Sequence, residues 1–243
     1  MNNLIIGIAG GSGSGKTTLA LRLKERFGED EVRLISHDSY YKRHDELPFE
    51  ERCKLNYDHP DAFDTERLVA DLEALRRGER VESPTYDYTV HNRAAETVEV
   101  RPAKVVLVEG ILIFVDPVLR SLMDIKIFVD TDADVRILRR IVRDYLFRGH
   151  GAAFTLGLWG HVCAGEERFI KPYKPRANLL LDTTHTYEVC LWRTVLDAMP
   201  ADPELTPVQA RQLEALRARF DAFPALGTEL VPQNSLLREF IGK

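Results

Sequence analysis

The chain has 243 residues, of which 44% are hydrophobic and 29% charged, and its formal net charge is −5. A chain of this size can bury a sizeable α/β core, and it lacks the overall basic charge that would indicate nucleic-acid binding. Its apolar runs are strand-length, well short of the roughly 20 residues of a membrane span. The N-terminus lacks a basic n-region, so we expect no signal peptide. Three widely spaced cysteines without a C-x-x-C pair indicate reduced thiols. We therefore expect a cytoplasmic protein that binds neither nucleic acid nor membranes.

The first apolar segment, Leu4–Ala9, predicts a buried strand, and Lys16–Phe27 predicts a helix that ends at Gly28. The link between them matches G-x-x-x-x-G-K-[ST], in the strand-to-helix context in which a phosphate loop is credible. Its glycines let several N–H groups point into one hollow, at the positive end of the helix dipole. The spacing does not fit a Rossmann G-x-G-x-x-G loop. The residues expected to hold nucleotide phosphates are Gly10, Gly11, Ser12, Gly13, Ser14, Gly15, Lys16, Thr17 and Thr18.

Carboxylates follow two further predicted strands. Val32–Ser36 leads into Asp38 within the run HDSYY, and Val105–Val108 leads into Glu109. Ligands of open α/β sheets bind at the carboxyl ends of the strands, so both acids should lie on the side of the phosphate loop. Asp38 is a candidate general base for an attacking hydroxyl, or alternatively a capping or salt-bridged aspartate. Glu109 is a candidate carboxylate for ordering Mg²⁺, together with the Thr17 hydroxyl, or alternatively a partner for Lys16 or part of a buried network.

An excursion from the alternation of strands and helices lies at residues 81–100, where the pattern predicts a β-hairpin. Such insertions commonly build a substrate pocket. Tyr86, Tyr88 and His91 cluster in it, although alternating aromatics usually serve packing and a lone histidine more often lies at the surface. Upstream, the carboxylate of Asp58 can accept hydrogen bonds from sugar hydroxyls or can simply shape a turn.

An arginine-rich helix is predicted after the strand Ile125–Val129. Thr131 and Asp134 have the spacing of a capping box for it, and Asp64 is placed to cap an earlier helix. The arginines of this helix and its end are Arg136, Arg139, Arg140, Arg143 and Arg148. The residues expected on its buried side are Val135, Leu138, Val142 and Tyr145. The arginines form either a solvated face or a lid that closes over phosphates.

The remaining chain is less regular. Five glycines over residues 149–173 predict helix there only in pieces, followed by a last strand at Asn178–Leu181 and a helix at Tyr187–Met199. Thr206 and Pro207 begin a clean amphipathic helix. Its apolar stripe, which we expect to pack on the chain's own core, is Leu213, Leu216, Phe220 and Phe223.

Strands that alternate with helices indicate an α/β fold with a mainly parallel sheet and helices on both faces. Together with the phosphate loop and the candidate catalytic carboxylates, this pattern predicts a three-layer fold of the P-loop NTPase or kinase type. We expect residues 1–200 to form one domain, with the hairpin insertion at about 81–100 and a helical lid at about 140–175. Residues 201–243 would add a helix and tail to it. A GTPase switch would normally carry N-K-x-D, which this sequence lacks, and a non-catalytic nucleotide sensor would not need Asp38, Glu109 and the arginines together.

The motifs together resemble the uridine kinases (uridine–cytidine kinases). The matching runs, in the family's order and spacing from about Ile6 to Asp144, are GIAGGSGSGKTT, HDSYY, NYDHPDAFD, PTYDYTVHNR, VEGIL and FVDTDADVRILRRIVRD. This resemblance implies transfer of phosphate from ATP or GTP, with Mg²⁺, to the 5′-hydroxyl of uridine or cytidine. It also implies a homotetramer or dimer.

The resemblance further implies a role for each motif residue. Asp38 would activate the 5′-hydroxyl and, with Thr17 and Glu109, lie at the metal. Asp58 would hold the ribose hydroxyls. Tyr86 and Tyr88 would pack on the pyrimidine, and His91 would bind its edge. Arg140 and Arg143 would contact substrate and transferring phosphates, with Lys16 on the phosphates and Arg148 in the lid.

The second half of the chain departs from the usual uridine kinase. His150 stands where an arginine is expected, and residues 155–189 are similar instead to a bacterial branch of uridine-kinase-like nucleoside kinases. A histidine cannot replace an always-charged arginine at pH 7. The choice of nucleoside and of ATP or GTP therefore stays open, as does a kinase that acts on another small hydroxyl acceptor.

Overall fold

The computed structural model describes residues 3–28 and 30–242, which divide into two compact units. The first, here called the sheet unit, contains the chain up to Gly11, Lys16–Val129 and Gly165–Leu181. The second, the helical unit, contains Ser12–Gly15, Asp130–Ala164 and the chain from Asp182 onward. The phosphate-loop sequence therefore contributes residues to both units.

The sheet unit is built on a five-stranded sheet in the order β2-β5-β1-β6-β7. The strands within the described residues are β1 Leu4–Gly10, β2 Val32–Ser36, β3 Val81–Asp87, β4 Asn92–Val100, β5 Val105–Glu109, β6 Ile125–Asp130 and β7 Leu179–Asp182. β1 pairs in parallel with β5 and β6, and β5 pairs in parallel with β2. The predicted mainly parallel sheet is thus confirmed, and the carboxyl ends of β1, β2 and β5 meet at one edge.

The α-helices are α1 Lys16–Phe27, α2 Phe49–Arg52, α3 Thr65–Arg77, α4 Pro117–Ser121, α5 Ala133–Arg148, α6 Ala152–Phe169, α7 Glu188–Ala198, α8 Pro207–Ala218 and α9 Arg238–Ile241. Two apolar clusters cover the two faces of the sheet, since neighbouring residues of β1 point to opposite sides. Ile8 packs in a cluster with Ala20 of α1, whereas Ile5 packs in a cluster with Leu72 of α3 and Leu119 of α4. Helices on both faces explain why β1 is apolar throughout and why β5 is apolar up to its last residue, Glu109.

The hairpin predicted at residues 81–100 is present, with β3 and β4 paired antiparallel. The register shifts between Pro84 and Tyr86, where a proline cannot donate a ladder hydrogen bond. Asp64 stands at the N-cap of α3 as predicted, but its side chain makes no capping bond. It instead accepts a hydrogen bond from Arg93 of β4, at 3.0 Å, which ties the hairpin to the start of α3.

The helical unit packs around Trp192 of α7, Leu138 and Ile141 of α5, and Phe240 of α9. The buried side predicted for α5 is partly wrong. Tyr145 is 37% exposed, and two arginines, Arg136 and Arg139, are buried in its place. The capping box predicted from Thr131 and Asp134 is also wrong, because the N-cap is Asp132 and no side chain caps the helix.

Helix α6 differs most from the sequence-based expectation. The five glycines predicted helix only in pieces, yet Ala152–Phe169 is one helix of 18 residues. Gly157 and Gly160 face open space or a single side-chain atom at 3.5 Å, so they cost the helix entropy without disturbing its packing. Burial of Ala152, Leu156 and Val162 offsets that cost. No helix in the described ranges is long and apolar enough to cross a membrane.

Helix α8 begins where the sequence predicts, at a complete capping box. Thr206 accepts a hydrogen bond from the Gln209 amide at 3.3 Å, and the Gln209 side chain accepts one from the Thr206 amide at 2.9 Å.

Replacing Thr206 by Ala is expected to lower the free energy of unfolding by about 1 kcal/mol, because the capping bond is lost. Urea unfolding followed by far-UV circular dichroism measures this change. Val208→Ala, at an exposed first-turn position, is the control, with a change below about 0.5 kcal/mol. Equal midpoints for the two variants would contradict this prediction.

Candidate active site

The phosphate loop between β1 and α1 depends on glycines whose backbone turns left-handed. Gly13 has φ +79° and Gly15 has φ +89°, values that side-chain-bearing residues rarely adopt. Both positions are also closely packed. A Cβ on Gly13 would lie 2.9 Å from the Arg136 carbonyl oxygen, and one on Gly15 would lie 2.5 Å from a Leu236 methyl group. The glycines therefore serve both the turn and the close approach of neighbouring groups.

Lys16 and Thr17 open helix α1. The Lys16 side chain is buried, and its ammonium donates to the Gly11 carbonyl at 3.2 Å. The Thr17 hydroxyl donates to Glu109 Oε2 at 3.3 Å. The first turn of α1 carries no acidic residue, so nothing in that turn offsets the positive end of the helix dipole. This end of the helix is suited to a phosphate group.

Glu109 lies at the end of β5, directly beside Ser36 at the end of β2. It is 5% exposed and accepts a hydrogen bond from the Ser36 hydroxyl at 2.7 Å. Burial, followed by the negative charge of Asp38, raises the pKa of Glu109, against the opposing charge of Lys16. A buried carboxylate next to a hydroxyl and a second carboxylate offers the all-oxygen donors that Mg²⁺ prefers. The residues present therefore fit a magnesium ion that also binds substrate phosphates.

A dedicated metal cluster is a different kind of site. Within the described ranges, no group of three or more His, Cys, Asp or Glu side chains is arranged so that it could hold a metal ion by itself.

Asp38 lies in the 3₁₀ turn His37–Tyr40 that directly follows β2. Its Oδ2 accepts a hydrogen bond from the Tyr88 hydroxyl at 3.4 Å, so the hairpin reaches the end of the sheet. The charge of Asp38 also raises the pKa of the buried Tyr41, whose burial is the larger cause. Asp38 thus lies close to Tyr88 of the hairpin and within electrostatic reach of Glu109. The strand-end positions of the two carboxylates predict the second of these relations.

His37, which precedes Asp38, is a site neighbour that the sequence reasoning missed. Its ring is buried and stacks on Phe63 at 3.9 Å between centroids. Gly110 makes room for it, since a Cβ there would lie 2.4 Å from His37 Cβ. Burial lowers the pKa of His37 to about 3, so the ring is neutral at physiological pH. The stack and the close glycine fix the turn that carries Asp38.

The hairpin tyrosines belong to an aromatic cluster. The Tyr86 ring lies 5.2 Å from Tyr88, 5.0 Å from Tyr41 and 6.2 Å from Tyr57. His91 lies 5.7 Å from Tyr57 and has φ +48°, a rare conformation for a residue with a side chain. The sequence reasoning missed Tyr41 and Tyr57. Tyr41 lies in the same HDSYY run as Asp38, and Tyr57 directly precedes Asp58, so motif position was the available signal.

Asp58 lies in the turn after Tyr57, where its amide donates to the Asn56 side chain at 3.0 Å. The side chain that forms this turn is therefore that of Asn56, and the Asp58 carboxylate takes no part in that bond. Gly165 of α6 packs against Asp58, since a Cβ on Gly165 would lie 3.4 Å from Asp58 Cβ. The divergent part of the sequence therefore touches a candidate substrate residue.

Three candidate arginines of the helical unit surround one buried carboxylate, that of Asp144. Arg143 donates to Asp144 Oδ1 at 2.8 Å, and Arg140 to Oδ2 at 3.4 Å. Arg148 lies 3.6 Å from the same group, and the Thr155 hydroxyl of α6 donates to it at 3.3 Å. Arg140 also reaches the Ser12 hydroxyl of the phosphate loop, at 3.4 Å. Asp144 thus orders the three arginine side chains, of which Arg140 also contacts the phosphate loop.

Replacing Asp144 by Asn is expected to lower the free energy of unfolding by about 3 kcal/mol at pH 7, because three arginines lose their buried counter-charge. Burial alone would raise the pKa of Asp144, but Arg143, with Arg148 and Arg140, holds it below its ordinary value. A lowered pKa stabilises the fold above the ordinary carboxyl pKa near 4, and this contribution is lost as pH falls through the lower folded value. The difference between the two proteins, measured by urea unfolding from pH 7 to pH 3, should therefore shrink in acid.

The matched control for that series is Asp134→Asn, which removes an exposed partner of Arg219 and should change stability little. A pH-independent difference between Asp144→Asn and the unchanged protein would show that the ionised carboxylate is not the cause.

A parallel α/β sheet whose first strand enters a glycine-rich phosphate loop defines the class of P-loop proteins. Comparison with known proteins narrows the class. The chain belongs to the phosphoribulokinase / uridine kinase family, whose sequence model matches residues 5–190. It is therefore an ATP-dependent phosphotransferase.

Relatives in that family include a uridine kinase of Clostridium perfringens, 47% identical over 179 residues, which are 73% of this chain and 86% of that protein. A uridine kinase of Chloroflexus aurantiacus is 48% identical over 178 residues, 73% of this chain and 85% of that protein. Among solved structures, a putative fructose transport system kinase from a Silicibacter species matches with a TM-score of 0.58 at 23% identity, covering 74% of this chain and 90% of its own. The phosphoribulokinase of Rhodobacter spheroides matches with a TM-score of 0.57 at 14% identity, covering 85% and 75%. These two structures support the fold.

Proposed function

We propose that this protein transfers the γ-phosphate of ATP to the 5′-hydroxyl of uridine, cytidine or both, as a pyrimidine-salvage kinase. The observation that carries the proposal is the Asp38 carboxylate, which lies at the end of β2 and accepts a hydrogen bond from Tyr88 of the hairpin. The choice of a pyrimidine nucleoside as the substrate is supported by the relatives of the chain, uridine kinases that are about 47% identical to it. A carboxylate that meets both a tyrosine hairpin and the strand ends is suited to activate a sugar hydroxyl.

Nucleoside recognition is assigned to the aromatic cluster and Asp58. Tyr86 and Tyr88 would pack on the pyrimidine face, His91 would hydrogen-bond its edge, and Asp58 would accept hydrogen bonds from the ribose hydroxyls. The left-handed backbone of His91 supports this role, because strained residues concentrate at functional sites. A site that hydrogen-bonds base and sugar rejects analogues lacking those groups by about 10⁴-fold or more.

Phosphate and metal binding are assigned to the residues at the start of α1 and the end of β5. The loop residues Gly10–Gly15, with Thr18, would bind the ATP phosphates, and Lys16 would reach their terminal groups. Thr17, Asp38 and Glu109 would hold Mg²⁺, which neutralises phosphate charge and orients the transferred group. Asp38 would accept the proton of the attacking hydroxyl. GTP is the alternative phosphate donor, and the assay below compares it with ATP.

The arginines are assigned to the negative charge that develops on the transferred phosphate. Arg140 and Arg143 would contact phosphates bound by Ser12–Gly15, and Arg148, the most exposed of the three, would act as a lid residue. Phosphoryl transfer proceeds largely by positioning and charge neutralisation, and guanidinium groups suit both. Asp144 keeps the three side chains ordered before substrate arrives.

A second candidate is a kinase of the same fold with another hydroxyl acceptor. The observation that favours this candidate is the contact between Gly165 of the divergent helix α6 and Asp58. A different sequence next to a residue that binds the sugar can change which acceptor is bound. A third candidate, a nucleotide-sensing protein, would bind ATP without transfer.

A panel of nucleosides and small alcohol acceptors, with ATP or GTP and Mg²⁺, separates the three. Release of ADP that depends on uridine or cytidine, with UMP or CMP as product, is the expected result. ADP release that depends on a different acceptor identifies the second candidate. ATP binding with no acceptor-dependent release identifies the third and overturns the proposal.

The proposal includes a homo-oligomer, a dimer or tetramer, in the cytoplasm. Light scattering coupled to size-exclusion chromatography measures the assembly, and a mass of 27.7 kDa would reject it.

A further inference from the structure

Two buried arginines of α5 hold three consecutive carbonyl groups of the phosphate loop. Arg136 is 1% exposed and donates to the Ser12 carbonyl at 3.1 Å. Arg139 is fully buried and donates to the carbonyls of Gly13 and Ser14, each at 3.3 Å. All of these residues belong to the helical unit. The guanidinium groups therefore lie on the carbonyl side of the loop.

The geometry of the peptide bond gives this contact a consequence on the other side. In a trans peptide the carbonyl of one residue and the N–H of the next point in opposite directions, and the described chain contains no cis peptide. Fixing the carbonyls of Ser12, Gly13 and Ser14 therefore directs the next three N–H groups, those of Gly13, Ser14 and Gly15, away from the arginines. Converging backbone N–H groups are an anion-binding arrangement.

We propose that Arg136 and Arg139 are positioning residues for the phosphates of the nucleotide. They hold the loop from its carbonyl side, so that its N–H groups face the anion before the ligand arrives. This inference rests on one part of the proposed function, phosphate binding by the loop, and is independent of the identity of the acceptor.

Each guanidinium is itself fixed. Glu188 binds Arg139 through both oxygens, at 2.6 and 2.8 Å, and the indole N–H of Trp192 donates to Glu188 at 3.0 Å. The Phe240 ring lies 5.3 Å from the Arg139 guanidinium carbon. A bidentate, stacked guanidinium has little freedom to move, so the loop is held by a rigid group.

Arg136 is held by a backbone carbonyl and an aromatic ring. Its Nε donates to the Thr131 carbonyl at 2.9 Å, and its guanidinium lies 5.5 Å from the Trp159 ring. Thr183 adds a third contact, since its hydroxyl donates to the Ser14 carbonyl at 2.6 Å. Phe240 and Leu236, which contact Arg139 and Gly15, lie beyond the residues 5–190 that the family model matches. The C-terminal segment of this chain thus forms part of the support.

The variants Arg136→Lys and Thr183→Val test the inference, because each removes a loop contact and leaves the buried pair of Arg139 and Glu188 intact. Binding of ATP and of inorganic tripolyphosphate is measured by calorimetry, together with the KM for the nucleoside and the melting temperature. We expect the Kd of both anions to rise about 5- to 30-fold, as the loss of ordered hydrogen bonds predicts, while the nucleoside KM stays within about twofold. Arg219→Lys, a surface arginine of the same unit, is the matched control.

An unchanged Kd for tripolyphosphate in both variants overturns the inference, whatever happens to the melting temperature. Arg139→Lys gives a second reading, because lysine keeps the charge but cannot bridge Glu188 and two carbonyls at once. It should weaken tripolyphosphate binding more than Arg136→Lys does. If the unchanged protein binds ATP but phosphorylates no acceptor, the proposed function fails and this inference can still be measured.

Discussion

Replacing Asp38 by Asn is expected to lower kcat for nucleoside phosphorylation by about 10²- to 10⁴-fold, the usual contribution of a positioned general base. The amide has the shape of the carboxylate but cannot accept the proton of the attacking hydroxyl. Affinity for ATP is measured without Mg²⁺, because Asp38 is also assigned to the metal. It should stay within about twofold, since the contacts assigned to the phosphates come from the loop and α1. Steady-state kinetics and equilibrium binding of ATP in the absence of nucleoside measure the two effects separately.

Tyr88→Phe is the matched control for this change. It removes the hydroxyl that donates to Asp38 at 3.4 Å and leaves the carboxylate in place. We expect a change of less than about tenfold in kcat, since a single weak hydrogen bond is lost. Turnover by Asp38→Asn equal to that of the unchanged protein would remove Asp38 from the mechanism.

Replacing Glu109 by Gln is expected to raise the Mg²⁺ concentration for half-maximal activity by about 100-fold. Changes to groups that merely support a metal ligand cost 10- to 100-fold, and Glu109 is proposed to be a ligand. The amide keeps the size of the side chain and its contact with Ser36, so packing at the end of β5 is conserved. The charge that attracts the cation is lost. Activity titrated with Mg²⁺ at saturating ATP gives the shift.

Ser36→Ala separates the charge of Glu109 from its orientation. It deletes the 2.7 Å hydrogen bond to Oε1 and should shift the Mg²⁺ requirement by about tenfold, in the range of an outer partner. If Glu109→Gln and the unchanged protein needed the same Mg²⁺, Glu109 would be a structural residue of the sheet end.

The parts of the fold that the sequence predicted are those set by local signals. Leu4–Ala9, the glycine-rich loop and the following helix form one continuous pattern, and the structure contains all three. The proximity of Asp38 and Glu109 was predictable because parallel strands end at one edge. The catalytic and binding roles of the individual side chains remain predictions.

The features that escaped prediction depend on partners far away in sequence. An arginine on an amphipathic helix is usually solvated, and nothing near Arg139 in the sequence reveals that its partners are residues 13, 14 and 188. The spacing of Thr131 is that of a helix cap, but its hydroxyl instead lies 2.9 Å from the hydroxyl of Thr183, a residue 52 positions away in the sequence. The continuous helix α6 was not predicted for a related reason. Its glycines lower the local helix propensity, but tertiary packing stabilises the helix nonetheless.

The stacked imidazole of His37 affects how a pH–rate profile should be interpreted. A histidine next to the proposed base invites the assignment of any kinetic midpoint near pH 6.5 to its ionisation. Since burial lowers the pKa of His37 to about 3, its ring carries no proton to lose in that range. A midpoint there would report another titrating group, such as a phosphate of the nucleotide, whose second ionisation falls near pH 6.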